Sequence, residues 1–122
     1  MATRPTDASG RPVYSCGVDA ALDVVGGKWK GLLLWALHER SHRFGELRRA
    51  LPGISERILI QQLRELEADG VVDRLVHSEV PPKVEYSLTE FGRSLNAALL
   101  PLAAWGEDNL DRIREVRART GP

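Results

Sequence analysis

The 122 residues are 43% hydrophobic and 28% charged, which is typical of one soluble globular domain. The longest apolar run, Leu32–Leu37, is far shorter than the roughly 20 residues that cross a bilayer, and the polar first residues do not resemble a secretory signal. We therefore expect a cytoplasmic protein with no membrane partner. The only cysteine, Cys16, excludes an internal disulfide framework and agrees with a reducing compartment.

The formal net charge is zero, because the chain contains 17 basic and 17 acidic residues. Their distribution is uneven, however. The segment Arg40–Arg64 contains six arginines and only two glutamates, an excess of four positive charges. A local basic patch is what contact with phosphates requires, whatever the total charge.

The first predicted elements are an arm and two helices. Residues 1–14 contain prolines and a glycine but few apolar side chains, which predicts a flexible arm. A helix follows, because apolar residues recur at helical spacing until the Gly26–Gly27 pair ends it. Those residues are Val18, Ala21, Leu22 and Val25. A second helix is predicted over Lys28–Glu39, with a buried stripe of Trp29, Leu32, Leu33, Ala36 and Leu37.

Two more helices, separated by a short turn, come next. Ser41–Phe44 is predicted as a small strand or an extended link, and Gly45–Leu51 as the third helix, which Pro52–Gly53 ends. Ser55 is predicted to be the N-cap of the fourth helix, since its hydroxyl can accept a hydrogen bond from an N–H of the first turn. That fourth helix is predicted over Glu56–Asp69.

Two strands and a helical region complete the chain. Val71–His77 and Val84–Leu88 are predicted strands, and the two prolines between them should make the connecting loop project. After Thr89, which can cap it, a last helical region carries apolar residues along one side, and Pro101 should kink it. We thus predict a flexible arm over 1–14, a domain with a dimerisation helix over 15–110 and a helical tail over 111–122.

The order of these elements predicts a helix-turn-helix, in which the second helix enters the DNA major groove with its N-terminal half. Arginine can bond guanine O6 and N7 together, and glutamine can bond adenine N6 and N7. The candidate DNA-binding residues on this helix and its cap are Ser55, Glu56, Arg57, Ile60, Gln61 and Arg64. Arg48, Arg49 and Lys83 are candidates for phosphate contacts, which position a protein without reading sequence. Each of these residues alone would also fit an ordinary solvated surface.

Four segments also carry a family resemblance. They are CGVDAALDVVGGKW (16–29), FGELRRALPGIS (44–55), LRELEADGVV (63–72) and EVPPKVEYSLTEFG (79–92). The sequence resembles the HxlR family of bacterial winged-helix regulators, within the wider MarR-like group. The resemblance implies an α+β, mostly α fold: a winged helix-turn-helix with a two-stranded wing, whose N- and C-terminal helices form a dimer interface. It also implies Ser55–Arg64 as the recognition segment, Val76–Val84 as the wing, and Lys28 and Lys30 near the DNA backbone.

The residues themselves give some support to a homodimer. The C-terminal half contains more apolar side chains than one small core needs, although the same side chains could simply cover that core. The expected interface consists of Val18, Leu22, Leu95, Leu99, Leu102, Trp105 and Leu110.

Cys16 has two open interpretations. Just before a helix, the positive end of the helix dipole favours the thiolate, and the resemblance implies a cysteine that senses oxidants in some members. Gly17 stands where the family often has proline, and a half-buried structural cysteine is the alternative. The histidines match no standard zinc pattern, so we expect no metal and no cofactor. They are His38, His42 and His77.

The predicted function is therefore a sequence-specific DNA-binding transcriptional regulator, either a repressor or a dual regulator. We expect a homodimer on a pseudo-palindromic operator. Its DNA binding is expected to respond to a small-molecule effector or to thiol oxidation, or to have no signal at all. A winged-helix module that binds protein is the alternative, which acids such as Glu56, Glu79 and Glu85 leave open. An enzyme is disfavoured and no catalytic residue is assigned, because the chain has no Ser/His/Asp order, glycine-rich phosphate loop or metal cluster.

Overall fold

The computed structural model describes residues 4–120, so residues 1–3 of the predicted arm and 121–122 of the predicted tail lie outside it. Its elements follow the predicted order. They are α1 (Gly17–Val25), α2 (Trp29–Glu39), α3 (Phe44–Ala50), α4 (Glu56–Ala68), β1 (Val72–His77), β2 (Lys83–Leu88), α5 (Glu90–Asp108) and α6 (Leu110–Thr120). The predicted fold class is confirmed: a mostly helical protein whose one described sheet is a two-stranded antiparallel ribbon.

The core lies where α2, α3, α4 and the strands meet. Its buried apolar residues are Leu33, Leu34, Leu37, Leu47, Leu51, Ile54, Leu59, Leu63, Leu66, Val71, Val72 and Leu88. The predicted stripe of α2 is largely confirmed, since Leu33 and Leu37 are buried and Trp29 and Ala36 pack against the core. One member was wrong: Leu32 is 47% exposed, and Leu34 is buried in its place. The run Leu32–Leu37 is apolar on every side, so its spacing fits either phase, and only the packing partners decide between them.

The ribbon pairs Val72 with Leu88 at its base and His77 with Lys83 at its end. The link before α3 joins it through a single bridge, in which the backbone N–H of His42 donates to Tyr86 O at 3.0 Å and that of Tyr86 donates to His42 O at 2.8 Å. The predicted small strand is therefore one bridged residue, and α3 begins directly after it.

A close approach connects the ribbon to α5. The Thr89 side chain accepts a hydrogen bond from Gly92 N at 2.9 Å and donates to Gly70 O at 2.6 Å. Gly92 is buried, and a Cβ there would collide with the carbonyl oxygen of Val71. Glycine at this position is what allows α5 to start against the backbone of Val71, between α4 and β1.

The C-terminal helical region is divided at an unexpected place. Pro101, where a kink was predicted, lies inside α5, which continues through it and ends at Asn109. The Asn109 side-chain amide donates to Trp105 O at 2.8 Å and so satisfies a carbonyl of the last turn. Short polar side chains such as asparagine form such local bonds to the backbone and therefore favour helix ends over helix interiors.

Residues 4–14 make contacts with α1 that their composition did not indicate. The Arg4 guanidinium donates to Asp19 at 2.8 Å and lies 4.5 Å from the centre of the Tyr14 ring, whose hydroxyl donates to Asp23 at 2.6 Å. No residue of α1 is buried, and Val24 is partly covered by the core.

None of the helices described over residues 4–120 combines the length and apolar character that crossing a membrane would need.

Candidate nucleic-acid interface

The turn between α3 and α4 fixes the start of the candidate recognition helix. Leu51 and Ile54 are buried on either side of Gly53, whose φ of 92° is a conformation that glycine adopts without strain. The Ser55 hydroxyl accepts a hydrogen bond from Ile58 N at 3.1 Å, which confirms the predicted cap. The inner face of α4 is buried through Leu59, Leu63 and Leu66. These contacts set which side of α4 faces outward.

The outer face of α4 presents three unpaired polar side chains. Arg57, Gln61 and Arg64 are exposed, lie one turn apart, and form no hydrogen bond or ion pair with any residue of the described range 4–120. Ile60 lies half-buried between them. Two guanidinium groups and one carboxamide are therefore available to an outside partner.

The remaining predicted contacts on α3 and α4 are distributed differently. Glu56 Oε2 lies 3.6 Å from Arg48 Nη1, in an exposed ion pair that contributes little to stability. Arg49 is exposed and forms no ion pair with a described residue. The positive charge that α3 offers therefore comes from Arg49 more than from Arg48.

The three predicted lysines do not all reach the surface. The Lys30 ammonium lies 3.3 Å from Glu65 Oε2 and its side chain is only 11% exposed, so it links α2 to α4 and is not presented to a phosphate as expected. Lys28 is exposed, with its ammonium 4.6 Å from the centre of the Trp29 ring. A sequence cannot reveal the Lys30 pair, because it depends on how two helices pack.

The base of the wing loop, at the His77–Lys83 end of the ribbon, is a charged cluster that the sequence did not predict. Glu85 accepts a hydrogen bond from the Ser41 hydroxyl at 2.7 Å and lies 2.9 Å from the Lys83 ammonium. The Ser41 bond first, and the Lys83 ammonium second, lower the pKa of Glu85 to about 2. His77 Nε2 is buried 3.0 Å from Glu85 Oε1 without forming a hydrogen bond. Lys83 is thus paired within its own chain.

The alternation of β2 was the available signal for this cluster. Val84 and Tyr86 belong to one face of the strand, so Lys83 and Glu85 must share the other. Nothing in the sequence pointed to Ser41, which lies 44 residues from Glu85.

The predicted dimer residues fall into two groups. Leu95 and Leu99 are half-buried and pack against the core of their own chain. The others are exposed at their surfaces: Val18 67%, Leu22 58%, Leu102 63%, Trp105 59% and Leu110 36%. The exposed apolar residues of the predicted interface therefore belong to α1, to the C-terminal half of α5 and to the first residue of α6.

The structure also defines the environments of Cys16 and His42. Cys16 is exposed at the N-cap of α1, so it is not half-buried. His42 is buried, and its Nδ1 lies 2.8 Å from Arg40 O, so it belongs to the interior and not to the surface. Over residues 4–120, no three His, Cys, Asp or Glu side chains come together in a way that could hold a metal.

Comparison with known proteins agrees with this geometry. A family model described as HxlR-like helix-turn-helix matches residues 24–114. The chain belongs to the HxlR family. The HxlR-like segment thus begins within α1 and includes the helix-turn-helix, the wing and all of α5.

Individual relatives of this HxlR protein are transcriptional regulators. The HTH-type transcriptional regulator YybR of Bacillus subtilis is 53% identical over 103 residues, which cover 84% of this chain and 82% of YybR. The redox regulator HypR in its reduced form is 53% identical, with a TM-score of 0.77 over 82% of this chain and 99% of that one. Its oxidised form matches with 56% identity and a TM-score of 0.73, over 77% and 97% of the two chains.

Proposed function

We propose that this HxlR protein is a sequence-specific DNA-binding transcriptional regulator that acts as a homodimer. The observation that carries the proposal is the unpaired outer face of α4: Arg57, Gln61 and Arg64 are exposed on a helix whose start is capped by Ser55. A helix in this position of a helix-turn-helix reads base edges in the major groove. Side chains that are already paired within the protein could not do so without losing those bonds.

The chemistry of the face divides the expected roles. Arg57 lies in the first turn of α4, where it can bond guanine O6 and N7, and Gln61 one turn later can bond adenine N6 and N7. The Ser55 end of the helix can hold a phosphate through its backbone N–H groups. Ile60, half-buried between the polar side chains, can contact a thymine methyl group.

The experiment compares two duplexes of equal length: one selected by the full-length protein from a random pool, and one of mixed sequence. Arg57→Ala and Gln61→Ala should each weaken binding to the selected duplex by roughly 5- to 100-fold, the effect of losing one bidentate base contact. Binding to the mixed duplex should change much less. Arg93→Ala is the matched control, because Arg93 is exposed on α5, near the opposite end of α4 from Ser55.

The possible outcomes separate the alternatives. Equal losses on both duplexes would make Arg57 and Gln61 phosphate contacts and not base contacts. Absence of binding to either duplex by the wild type, even at low salt, would overturn the proposal and favour a winged-helix module that binds protein.

The homodimer is proposed from exposed apolar surface. Leu102 and Trp105 lie one turn apart on α5, each more than half exposed, and Val18 and Leu22 lie one turn apart on α1. Contiguous exposed apolar surface of this kind marks interaction sites in soluble proteins, and a second copy of this chain would cover it. Two such chains would present two α4 helices to half-sites about one helical turn apart on a pseudo-palindromic operator.

Sedimentation at several concentrations tests this assembly. Trp105→Ser should weaken self-association by about 30-fold, the effect of losing one aromatic residue at the centre of an interface. Phe91→Ser is the control, because Phe91 is 57% exposed on the first turn of the same helix, away from Trp105. A wild type that sediments as a monomer at every concentration would refute the homodimer.

We also propose that oxidation of Cys16 regulates DNA binding. The thiol is exposed, and the HypR relative is a redox regulator by name. Two Cys16 thiols of two chains, or one and a small thiol, would form a disulfide and transfer two electrons and two protons to an oxidant such as diamide.

Binding to the selected duplex is measured before and after diamide treatment, alongside mass spectrometry. The wild type should form a disulfide and change its affinity, whereas Cys16→Ser should do neither. Disulfide formation without a change in affinity would exclude oxidation as the signal and leave a small-molecule effector as the candidate.

A further inference from the structure

A cleft of about 460 Å³ opens between the wing base, α3 and the link that precedes it. Four cationic side chains lie around it: Arg40, Arg43, Arg49 and Lys83. Only Arg49 and Lys83 were candidates from the sequence. Two carboxylates, Glu46 and Glu85, share the lining, so the cleft has an excess of two positive charges.

The two carboxylates are already occupied. Glu46 accepts hydrogen bonds from Arg43 N at 2.8 Å and from the Arg40 guanidinium at 3.3 Å. Glu85 is bound by the Ser41 hydroxyl and by Lys83. These bonds neutralise Arg40 and Lys83 and fix them as part of the frame of the cleft.

The two remaining cations have no such partner. Neither Arg43 nor Arg49 forms an ion pair with a residue of the described chain. Nη1 of Arg49 would lie 3.5 Å from a Cβ on Gly45, so its guanidinium folds back along α3 toward the Arg43 end of the helix. The excess charge of the cleft is therefore concentrated on two arginines at one end of α3.

The geometry points to this cleft as a binding site for a phosphate of the DNA backbone, held by Arg43 and Arg49. The inference rests on the proposed function and extends it. In a helix-turn-helix the first helix crosses the backbone while the second reads bases, and α3 is that first helix. Two guanidinium groups at one point match the oxygens of a phosphate better than a single lysine does.

The test is the salt dependence of duplex binding by the full-length protein. The double variant Arg43→Gln/Arg49→Gln should weaken binding about tenfold at moderate salt, equally on selected and mixed-sequence duplexes. The slope of log K against log salt should become shallower by about 0.9 for each lost phosphate, or about 1.8 for a dimer. The double lysine variant, which keeps both charges, should retain most of the wild-type slope.

Two controls accompany this measurement. Arg93→Gln removes an exposed charge from α5 and should leave the slope unchanged. Thermal unfolding of each variant should match the wild type, because the bond that Arg43 makes to Glu46 uses its backbone N–H and is kept.

The arginine Nε–Hε signals of Arg43 and Arg49, followed by NMR, supply a second readout. They should shift when the duplex is added and respond only weakly to inorganic phosphate. Strong shifts with inorganic phosphate, combined with an unchanged salt slope, would assign the cleft to a small phosphorylated ligand and overturn its role in DNA binding.

The failures can be distinguished. If the wild type binds duplex and the double glutamine variant shows the same slope of log K against log salt, the assignment of the cleft is overturned but the proposed function is not. A wild type that binds no duplex overturns the proposed function and this assignment together.

Discussion

Gly92→Ala should destabilise the protein severely, although alanine normally favours a helix. A Cβ at this position would collide with the carbonyl oxygen of Val71 and lie 3.1 Å from its carbonyl carbon. Both obstructing atoms belong to the backbone, so no rotation of a side chain can relieve the contact. The start of α5 would have to move away from the backbone of Val71, between α4 and β1.

The magnitude follows from what this movement disturbs. Overpacking of a buried site costs about 1–3 kcal/mol. Two hydrogen bonds anchor the same corner, from Thr89 N to Val71 O at 3.1 Å and from the Thr89 hydroxyl to Gly70 O at 2.6 Å, and each contributes about 1 kcal/mol. The higher helix propensity of alanine offsets about 1 kcal/mol of this destabilisation. We expect a net loss of about 3 kcal/mol, or roughly 12 °C in the midpoint of thermal unfolding.

Thermal and guanidinium unfolding, followed by circular dichroism at one fixed protein concentration, would measure this loss. Gly31→Ala is the matched control, because Gly31 lies inside α2 and a Cβ there would meet nothing within 4 Å. It should stabilise the protein by up to about 1 kcal/mol. If both variants unfold at the same temperature, the close approach of α5 to Val71 does not constrain this fold.

Three further changes test other contacts. Ser55→Ala should lower the free energy of unfolding by about 1 kcal/mol in denaturant titrations, because Ile58 N loses its acceptor; an unchanged midpoint would show that water caps α4 equally well. Ser41→Ala should raise the pKa of Glu85 from about 2 toward its ordinary value, as carboxyl NMR shifts can show. A carboxyl group whose pKa is lower in the folded state than in the unfolded state stabilises the fold above the unfolded-state pKa, and this stabilisation is lost as the pH falls through the folded-state pKa. Ser41→Ala should therefore reduce the loss of stability between about pH 4.5 and 2; a dependence of stability on pH identical to that of the wild type would argue against the bond. Asn96→Leu should leave stability unchanged or raise it by about 1 kcal/mol in thermal unfolding, because Asn96 Oδ1 is buried without a partner in the described chain; a loss of similar size would indicate a hidden bond.

The elements that the sequence predicted well are those with local signals. The Ser55 cap, the turn at Gly53 and the alternation of β2 each depend on residues a few positions apart. The order of these elements already predicted the helix-turn-helix, and the resemblance of four segments to the HxlR family is confirmed by the family match. The outer face of α4 followed from its helical spacing alone.

The errors concern contacts between distant segments. The burial of Leu34 in place of Leu32 depends on what packs on α2, and the Lys30–Glu65 pair depends on how α2 meets α4. Leu95 looked like surplus apolar surface because the extent of the core could not be measured from the sequence. Each of these outcomes is fixed by tertiary packing, which local pattern does not encode.

The exposure of α1 has a consequence for how this segment orders. Nine residues form fewer turns than an isolated helix needs to persist in water, and none of them is buried. Its amide hydrogens should therefore exchange with solvent far faster than those of α2, whose Leu33, Leu34 and Leu37 are in the core. In a homodimer that covers Val18 and Leu22, ordering of α1 and association would be one coupled event, so the helical content of the protein would rise with its concentration.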